Sequence, residues 1–283
     1  IFIAFSSLLI DSGFGRALLN RKDISALEYS TVFYFNLAIS LFLYIAFFFS
    51  APLIAQLFNE PLLTPVSRVL FLSLIFNGFS LIQMIVFIKA SDFKTQTKAN
   101  TAALIISTSV ALIMASKGYG VWSLVAQNVI YAFFRSLFFW LYSTWRPKKL
   151  FSIERLKVFF AFSNKLLASG AIGAIFNNIY PSIIAMFYPM QQVGYYTQAY
   201  KYQDTPFAVL SDTFRSVSML ILSEINDQTE RLRRVVAKLI KSIAFLSFPI
   251  AFILILIAEP LFATLFGDKW LPSVPYFQIL CIG

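Results

Sequence analysis

The sequence has no histidine, and its single cysteine is Cys281. Within this stretch, disulfides, thiolate metal sites, Cys–His dyads and histidine-based acid–base catalysis are excluded. Charge is scarce too: 13% of residues are charged, against about 25% in a soluble domain. No Gly-rich phosphate loop of the Walker type occurs, so ATP hydrolysis is not expected. The glutamates (Glu28, Glu60, Glu154, Glu224, Glu230 and Glu259) lie in loops or at the ends of apolar runs, not in the acidic cluster that a membrane glycosyltransferase places beside a span to hold a metal–diphosphate. The expectation is a protein that is not an enzyme, with no cofactor and no metal site. No basic segment with a small-residue cleavage site precedes Ile1, and Ile1–Ile10 is too short to cross a bilayer. The end, from Ser273 to Gly283, stops within a hydrophobic run, so the chain reads as a fragment.

What is present is apolar: 59% of residues are hydrophobic and 18% aromatic. That composition predicts an all-α, polytopic membrane helix bundle. After the opening run come Thr31–Phe58, Val66–Ile88, Thr101–Ser116, Tyr119–Thr144, Val158–Phe187, Tyr195–Leu222 and Ser242–Phe266, with a further run beginning near Ser273. A net charge of +10 in a soluble protein would suggest nucleic acid; here the basic residues sit in short loops between apolar runs, and no nucleic-acid partner is expected. Most of the 23 basic residues fall in alternate connections. One holds Arg16, Arg21 and Lys22, another Lys89, Lys94 and Lys98, a third Arg146, Lys148, Lys149, Arg155 and Lys157 with nearby Lys165, and a fourth Arg231, Arg233, Arg234, Lys238 and Lys241. The intervening loops hold only Arg68, Lys117 and Lys269. The positive-inside rule therefore places the basic loops in the cytoplasm.

A repeat is visible. Pro52-Leu53-Ile54-Ala55-Gln56-Leu57-Phe58-Asn59-Glu60 returns as Pro260-Leu261-Phe262-Ala263-Thr264-Leu265-Phe266-Gly267-Asp268, and Leu63/Leu271, Val66/Val274 and Leu72/Leu280 continue it at the same offset. Two similar Pro-Leu-rich helix ends are one explanation. The matching direction favours a parallel repeat of two six-helix lobes, both incomplete here. The expected division is a partial N-terminal lobe over 1–145, lacking its first helix and part of the second, a basic cytoplasmic linker over 146–157, and a partial C-terminal lobe over 158–283.

Polar residues inside the apolar runs are the candidate site. Arg135 is placed roughly 15 Å inside the membrane, counting back from Arg146 along a regular helix. An arginine at a helix centre costs about 2.5–3.5 kcal/mol on insertion scales, so it must face a cavity or a partner, or snorkel to the interface. Lys201, Asp204, Ala208, Asp212 and Arg215 form one stripe of a helix. Asp204 can pair with Lys201 and Asp212 with Arg215, and Pro206 would bend the helix between them. The stripe is either a set of self-neutralised pairs or the polar wall of a translocation cavity. Lys165, Ser169, Gly173, Asn177 and Tyr180 share a second face, where small-residue spacing favours close helix packing and Asn177 has the choice of sugar hydroxyls or a neighbouring helix.

Several motifs together carry a resemblance. They are Asp11-x-Gly13-Phe14-Gly15, Ala51-Pro52-Leu53, Asp92-Phe93-Lys94, Gly118-Tyr119-Gly120-Val121-Trp122, Trp145-Arg146-Pro147, Gly194-Tyr195-Tyr196 and Gly267-Asp268-Lys269-Trp270. In order and spacing the chain resembles the Wzx-type polysaccharide flippases of the multidrug/oligosaccharidyl-lipid/polysaccharide exporter superfamily. The resemblance implies a multi-pass protein of the bacterial plasma (inner) membrane that flips a polyprenyl-diphosphate-linked oligosaccharide outward by alternating access. It further implies a cationic cavity between lobes, with polysaccharide polymerase machinery and membrane lipids as partners. On this view Arg135, Lys201 and Arg215 offset the diphosphate charge, Lys165, Asn177 and Tyr180 line the cavity, and Asp204 or Asp212 couples an ion. A multidrug-type exporter of the same architecture and a membrane glycan polymerase or ligase are the alternatives.

Overall fold

The computed structural model describes residues 6, 10, 14–21, 24–224 and 229–282; side chains at 16, 20, 162, 165–167, 174, 175, 177, 178, 212–224 and 229–232 are not described. Among these residues the regular structure is helical throughout, as the composition predicts. The helices are α1 (Phe14–Asn20), α2 (Ala26–Leu57), α3 (Leu63–Leu70), α4 (Leu72–Lys89), α5 (Phe93–Ser116), α6 (Val121–Tyr142), α7 (Ile153–Phe187), α8 (Met190–Glu224), α9 (Thr229–Phe266) and α10 (Val274–Ile282). A 3-10 turn, Asp268–Ser273, joins α9 to α10. Five segments are long and apolar enough to cross a membrane: Ala26–Leu57, Leu63–Lys89, Phe93–Ser116, Val121–Tyr142 and Arg233–Phe266. The chain divides into two compact units, Ile1–Tyr180 and Pro181–Gly283.

Local chemistry sets the helix ends more tightly than hydropathy does. The apolar run begins at Thr31, yet α2 starts at Ala26, because Ser25 and Glu28 form a reciprocal capping box. At 32 residues α2 is about 48 Å long, more than the roughly 30 Å of a hydrocarbon core, so its polar first turn projects beyond the apolar zone. Similarly α5 begins at Phe93 and not Thr101, with the Asp92 carboxylate accepting the Thr95 N–H at 3.1 Å. The run Val66–Ile88 is broken once, at Phe71. There the ladder tightens to Leu74 N–H donating to Phe71 O, and the Ser73 hydroxyl takes Leu70 O at 2.7 Å.

In the first unit, α4 packs against α2 and α6, and α5 lies along α6. Helices α2 and α4 meet closely at Gly78: a Cβ there would stand 2.4 Å from Ser40 Oγ and 2.8 Å from Ser40 Cβ. Helix α5 turns Ala99, Ala103, Ser107 and Ala111 inward at four-residue spacing, and Gln127 of α6 donates to Thr108 at 3.2 Å. This small-residue stripe permits close helix approach. Phe14, Leu18, Val32, Phe33, Ile82, Ile85 and Phe159 make the main core, tying α1, α2, α4 and the start of α7 together. Helix α6 ends at Tyr142, where Arg146 folds back to donate to Trp140 O (2.9 Å) and Ser143 O (2.6 Å), carbonyls that the helix end leaves open. The segment beyond is held along α2 by two main-chain donors: Lys148 N–H to Ser30 Oγ (3.0 Å) and Ser152 N–H to Thr31 Oγ1 (3.1 Å).

In the second unit, α8, α9 and α10 pack together around Ala199, Ala258, Phe262, Phe277 and Cys281. Helix α8 runs unbroken through Pro206, and α9 through Pro249 and Pro260. Tyr195 meets Trp270 edge-on at 6.0 Å, which brings the Gly-Tyr-Tyr and Gly-Asp-Lys-Trp motifs into contact. The two copies of the repeat end alike: Pro52 lies inside α2 and Pro260 inside α9, and each helix is followed by a residue with positive φ at the equivalent position, Asn59 at 52° and Gly267 at 81°.

Candidate functional site

Arg135 lies in the last third of α6, two turns before the helix end at Tyr142, or about 10 Å at 1.5 Å per residue. The residues after Tyr142 leave the helix, so the count from Arg146 along one regular helix does not apply. The side chain is half-buried. Its Nη2 donates to Asn77 Oδ1 of α4 at 2.8 Å, while its Nε is buried with no hydrogen-bond partner among the described residues. The rings of Tyr131 and Phe139 flank the guanidinium, with centroids at 5.7 and 5.9 Å. Aromatic faces and an amide oxygen stabilise a cation in a low-dielectric setting without neutralising it. Among the described residues no carboxylate forms an ion pair with it.

Around this pair the first unit buries further polar groups. Asn36, Ser40, Gln83 and Ser107 are fully shielded, and both side-chain polar atoms of Asn36 lack hydrogen-bond partners among the described residues. Trp140 donates its indole N–H to Phe79 O at 2.9 Å and stacks on the Phe79 ring at 4.5 Å.

In the second unit, Lys201 and Asp204 sit on exposed positions of α8. The expected pairing between them does not form: each projects outward, and the Lys201 ammonium instead stands 5.9 Å from the Tyr202 ring. Tyr180 is 65% exposed on α7. The side chains of Lys165, Asn177, Asp212 and Arg215 lie outside the described residues, and with them the Asp212–Arg215 pair.

One constellation escaped sequence reasoning. Glu28, placed among the glutamates of loops and span ends, is 4% exposed on the first turn of α2. Its Oε1 accepts from Arg21 at 2.5 Å and lies 3.7 Å from Arg155, and its Oε2 accepts from Ser25 N–H at 3.0 Å. Lys89 donates to Arg21 O. Arg21, Lys89 and Arg155 come from three of the basic loops that the charge pattern puts on one side, and all three line one open pocket of about 690 Å³. The capping-box spacing of Ser25 and Glu28 was the available signal.

Long apolar helices, basic residues gathered at one end of the first unit and polar groups buried between helices define a multi-pass helical membrane protein. Residues 1–275 match the model of the polysaccharide biosynthesis protein family, and the chain belongs to that family. It is 23% identical to the teichuronic acid biosynthesis protein TuaB of Bacillus subtilis strain 168, over 98% of this chain and 58% of that protein. It is 24% identical to the lipopolysaccharide biosynthesis protein WzxC of Escherichia coli K12, over 100% of this chain and 58% of the relative. With the succinoglycan biosynthesis transport protein ExoT of Rhizobium meliloti it shares 22% identity, over 99% and 57%. The chain thus spans somewhat over half the length of these relatives. No solved structure matches it.

Proposed function

We propose that the intact protein moves a lipid-linked oligosaccharide, carried on a polyprenyl diphosphate, from the inner to the outer leaflet of the bacterial plasma membrane for surface polysaccharide export. The similarity to ExoT, a succinoglycan biosynthesis transport protein, supports transport, and membership of the family supports a polysaccharide as the cargo. The observation that carries the reading is Arg135, a cation on an apolar helix whose partner is a neutral amide and whose buried Nε has no hydrogen-bond partner among the described residues. A diphosphate is the kind of group such a guanidinium recognises, through a fork of charge-assisted hydrogen bonds. In this proposal Lys201 and Arg215 supply further positive charge, Lys165, Asn177 and Tyr180 contact the substrate, and Asp204 or Asp212 couples an ion. Alternating access proceeds between two repeated lobes, 1–145 and 158–283, joined by the basic segment 146–157, and the polymerase machinery receives the product.

The test is glycan profiling of a deletion strain complemented with the full-length gene. Arg135→Ala is expected to lower exported glycan at least tenfold at unchanged protein level, and Arg135→Lys to restore part of it. Normal export by Arg135→Ala removes this residue from the mechanism. Drug resistance conferred without glycan export would favour a multidrug exporter, and bond formation by purified protein a polymerase or ligase.

A further inference from the structure

We propose that residues 53–70 form one rigid corner, hinged at Pro52 in α2 and at Phe71 between α3 and α4, and that Arg68 is the latch that holds it. The hydrogen bond missing at Pro52 carries this. Proline has no N–H, so the carbonyl four residues back, Phe48 O, is left without its donor inside α2. On an apolar helix such an oxygen must find a donor elsewhere. Arg68 of α3 supplies it: Nε donates to Phe48 O at 3.3 Å, and the guanidinium lies 4.4 Å from the centroid of the same residue's ring. Carbonyl and ring together hold the cation.

The depth of the contact separates it from ordinary snorkelling. Leu57 and Leu63 flank one tight turn; Phe48 lies nine residues before the first, about 14 Å of helix, and Arg68 five after the second, about 8 Å. The side chain therefore reaches inward to the break and not outward to water. Between the two breaks the backbone closes on itself. Glu60 N–H donates to Ala55 O and Asn59 N–H to Gln56 O, the two bonds of a Schellman end, with Asn59 at positive φ. Leu63 N–H to Glu60 O and Thr64 N–H to Pro61 O carry the bonding on into α3. At the second break the Phe71 ring stacks on Phe47 at 4.8 Å. A body whose own hydrogen bonds are intact pivots where they are missing. A main-chain amide at residue 52 would fix the angle, whereas a donor on a long side chain can leave the carbonyl and return. Nothing in this proposal requires the transport reading, and each can fail alone.

The experiment is a double-mutant cycle on the intact protein in detergent, read by the thermal midpoint. Arg68→Leu is expected to lower the midpoint by about 4 °C, the size of one lost charge-assisted hydrogen bond. In a Pro52→Ala background, where the restored N–H takes Phe48 O, the same change should cost less than about 1 °C. Pro260→Ala, which removes a helix proline from the second unit, should leave the full effect of Arg68→Leu. Spin labels at Phe42→Cys and Leu57→Cys, exposed sites on either side of Pro52, read the hinge in a background without other cysteines. Their distance distribution should narrow in Pro52→Ala and broaden in Arg68→Leu. No cost of Arg68→Leu, or an equal cost with and without Pro52→Ala, overturns the latch; a distance distribution unchanged in both variants overturns the hinge.

Discussion

The two units treat polar side chains in opposite ways. In the first, Asn36, Ser40 and Gln83 are shut between helices, and Arg135 reaches sideways to Asn77. In the second, the core around Phe262 and Phe277 is largely apolar, and the charges of α8, Lys201 and Asp204, point outward. A bilayer penalises an unpartnered polar group in either place. The first unit meets part of that cost internally, through helix–helix hydrogen bonds from Arg135 to Asn77, Gln127 to Thr108 and Trp140 to Phe79 O. The second presents an unneutralised face that demands water or another protein surface. Loss of a buried helix–helix polar contact in the first unit should therefore be felt as lost stability, and loss of the exposed α8 charges should leave stability nearly unchanged.

The sharpest break of this contrast is at glycine. Gly78→Val forces a Cβ into Ser40 and should cost about 3 kcal/mol by overpacking, seen as a fall in the thermal midpoint in detergent. Gly194→Ala in the second unit meets nothing within 4 Å and should be nearly silent. Next comes the Arg135 pair. Asn77→Ala leaves the guanidinium without its amide and should cost about 2 kcal/mol, whereas Lys201→Ala should stay within about 0.5 kcal/mol, in the same unfolding assay. If both variants proved equally destabilising, the contrast would be wrong.

A smaller effect is expected at the helix starts. Ser25→Ala removes half of a capping box and should cost about 1 kcal/mol in the thermal unfolding assay, and Glu28→Gln, which retains the box geometry, reports the ionic part alone. The smallest is a pH effect at Asp92. Hydrogen bonds from Thr95, side chain first and then main chain, together with the neighbouring Lys94, hold its carboxyl below the usual carboxylate range. A lowered folded-state value means the stabilisation is present above the unfolded-state value and is lost as pH falls through the lowered one. Hydrogen exchange at the start of α5 should accelerate in that acid window, and Asp92→Asn should flatten the dependence.

Most helices were legible, because hydropathy and the spacing of Lys and Arg are local properties that tolerate substitution. Boundaries were less so: at Ala26 and Phe93 a single cap outweighs several polar residues, extending each helix beyond its apolar run. The matching stretches at Pro52 and Pro260 share one backbone feature, the positive φ of Asn59 and Gly267. Asn77 as the partner of Arg135 was not readable, since the two are 58 residues apart and meet only when α4 packs on α6. Glu28 does lie at a span end, but its burial was unreadable for the same reason. Its burial depends on Arg155, supplied by a segment far along the chain.

The docking of residues 148 and 152 on α2 relies on amide hydrogens that every amino acid except proline possesses. Selection is thus at liberty to exchange Lys148 and Lys149, retuning the strap's electrostatics for a different membrane, without loosening its grip. Proline at residue 148 or 152 is the forbidden spelling, because it alone removes the handhold.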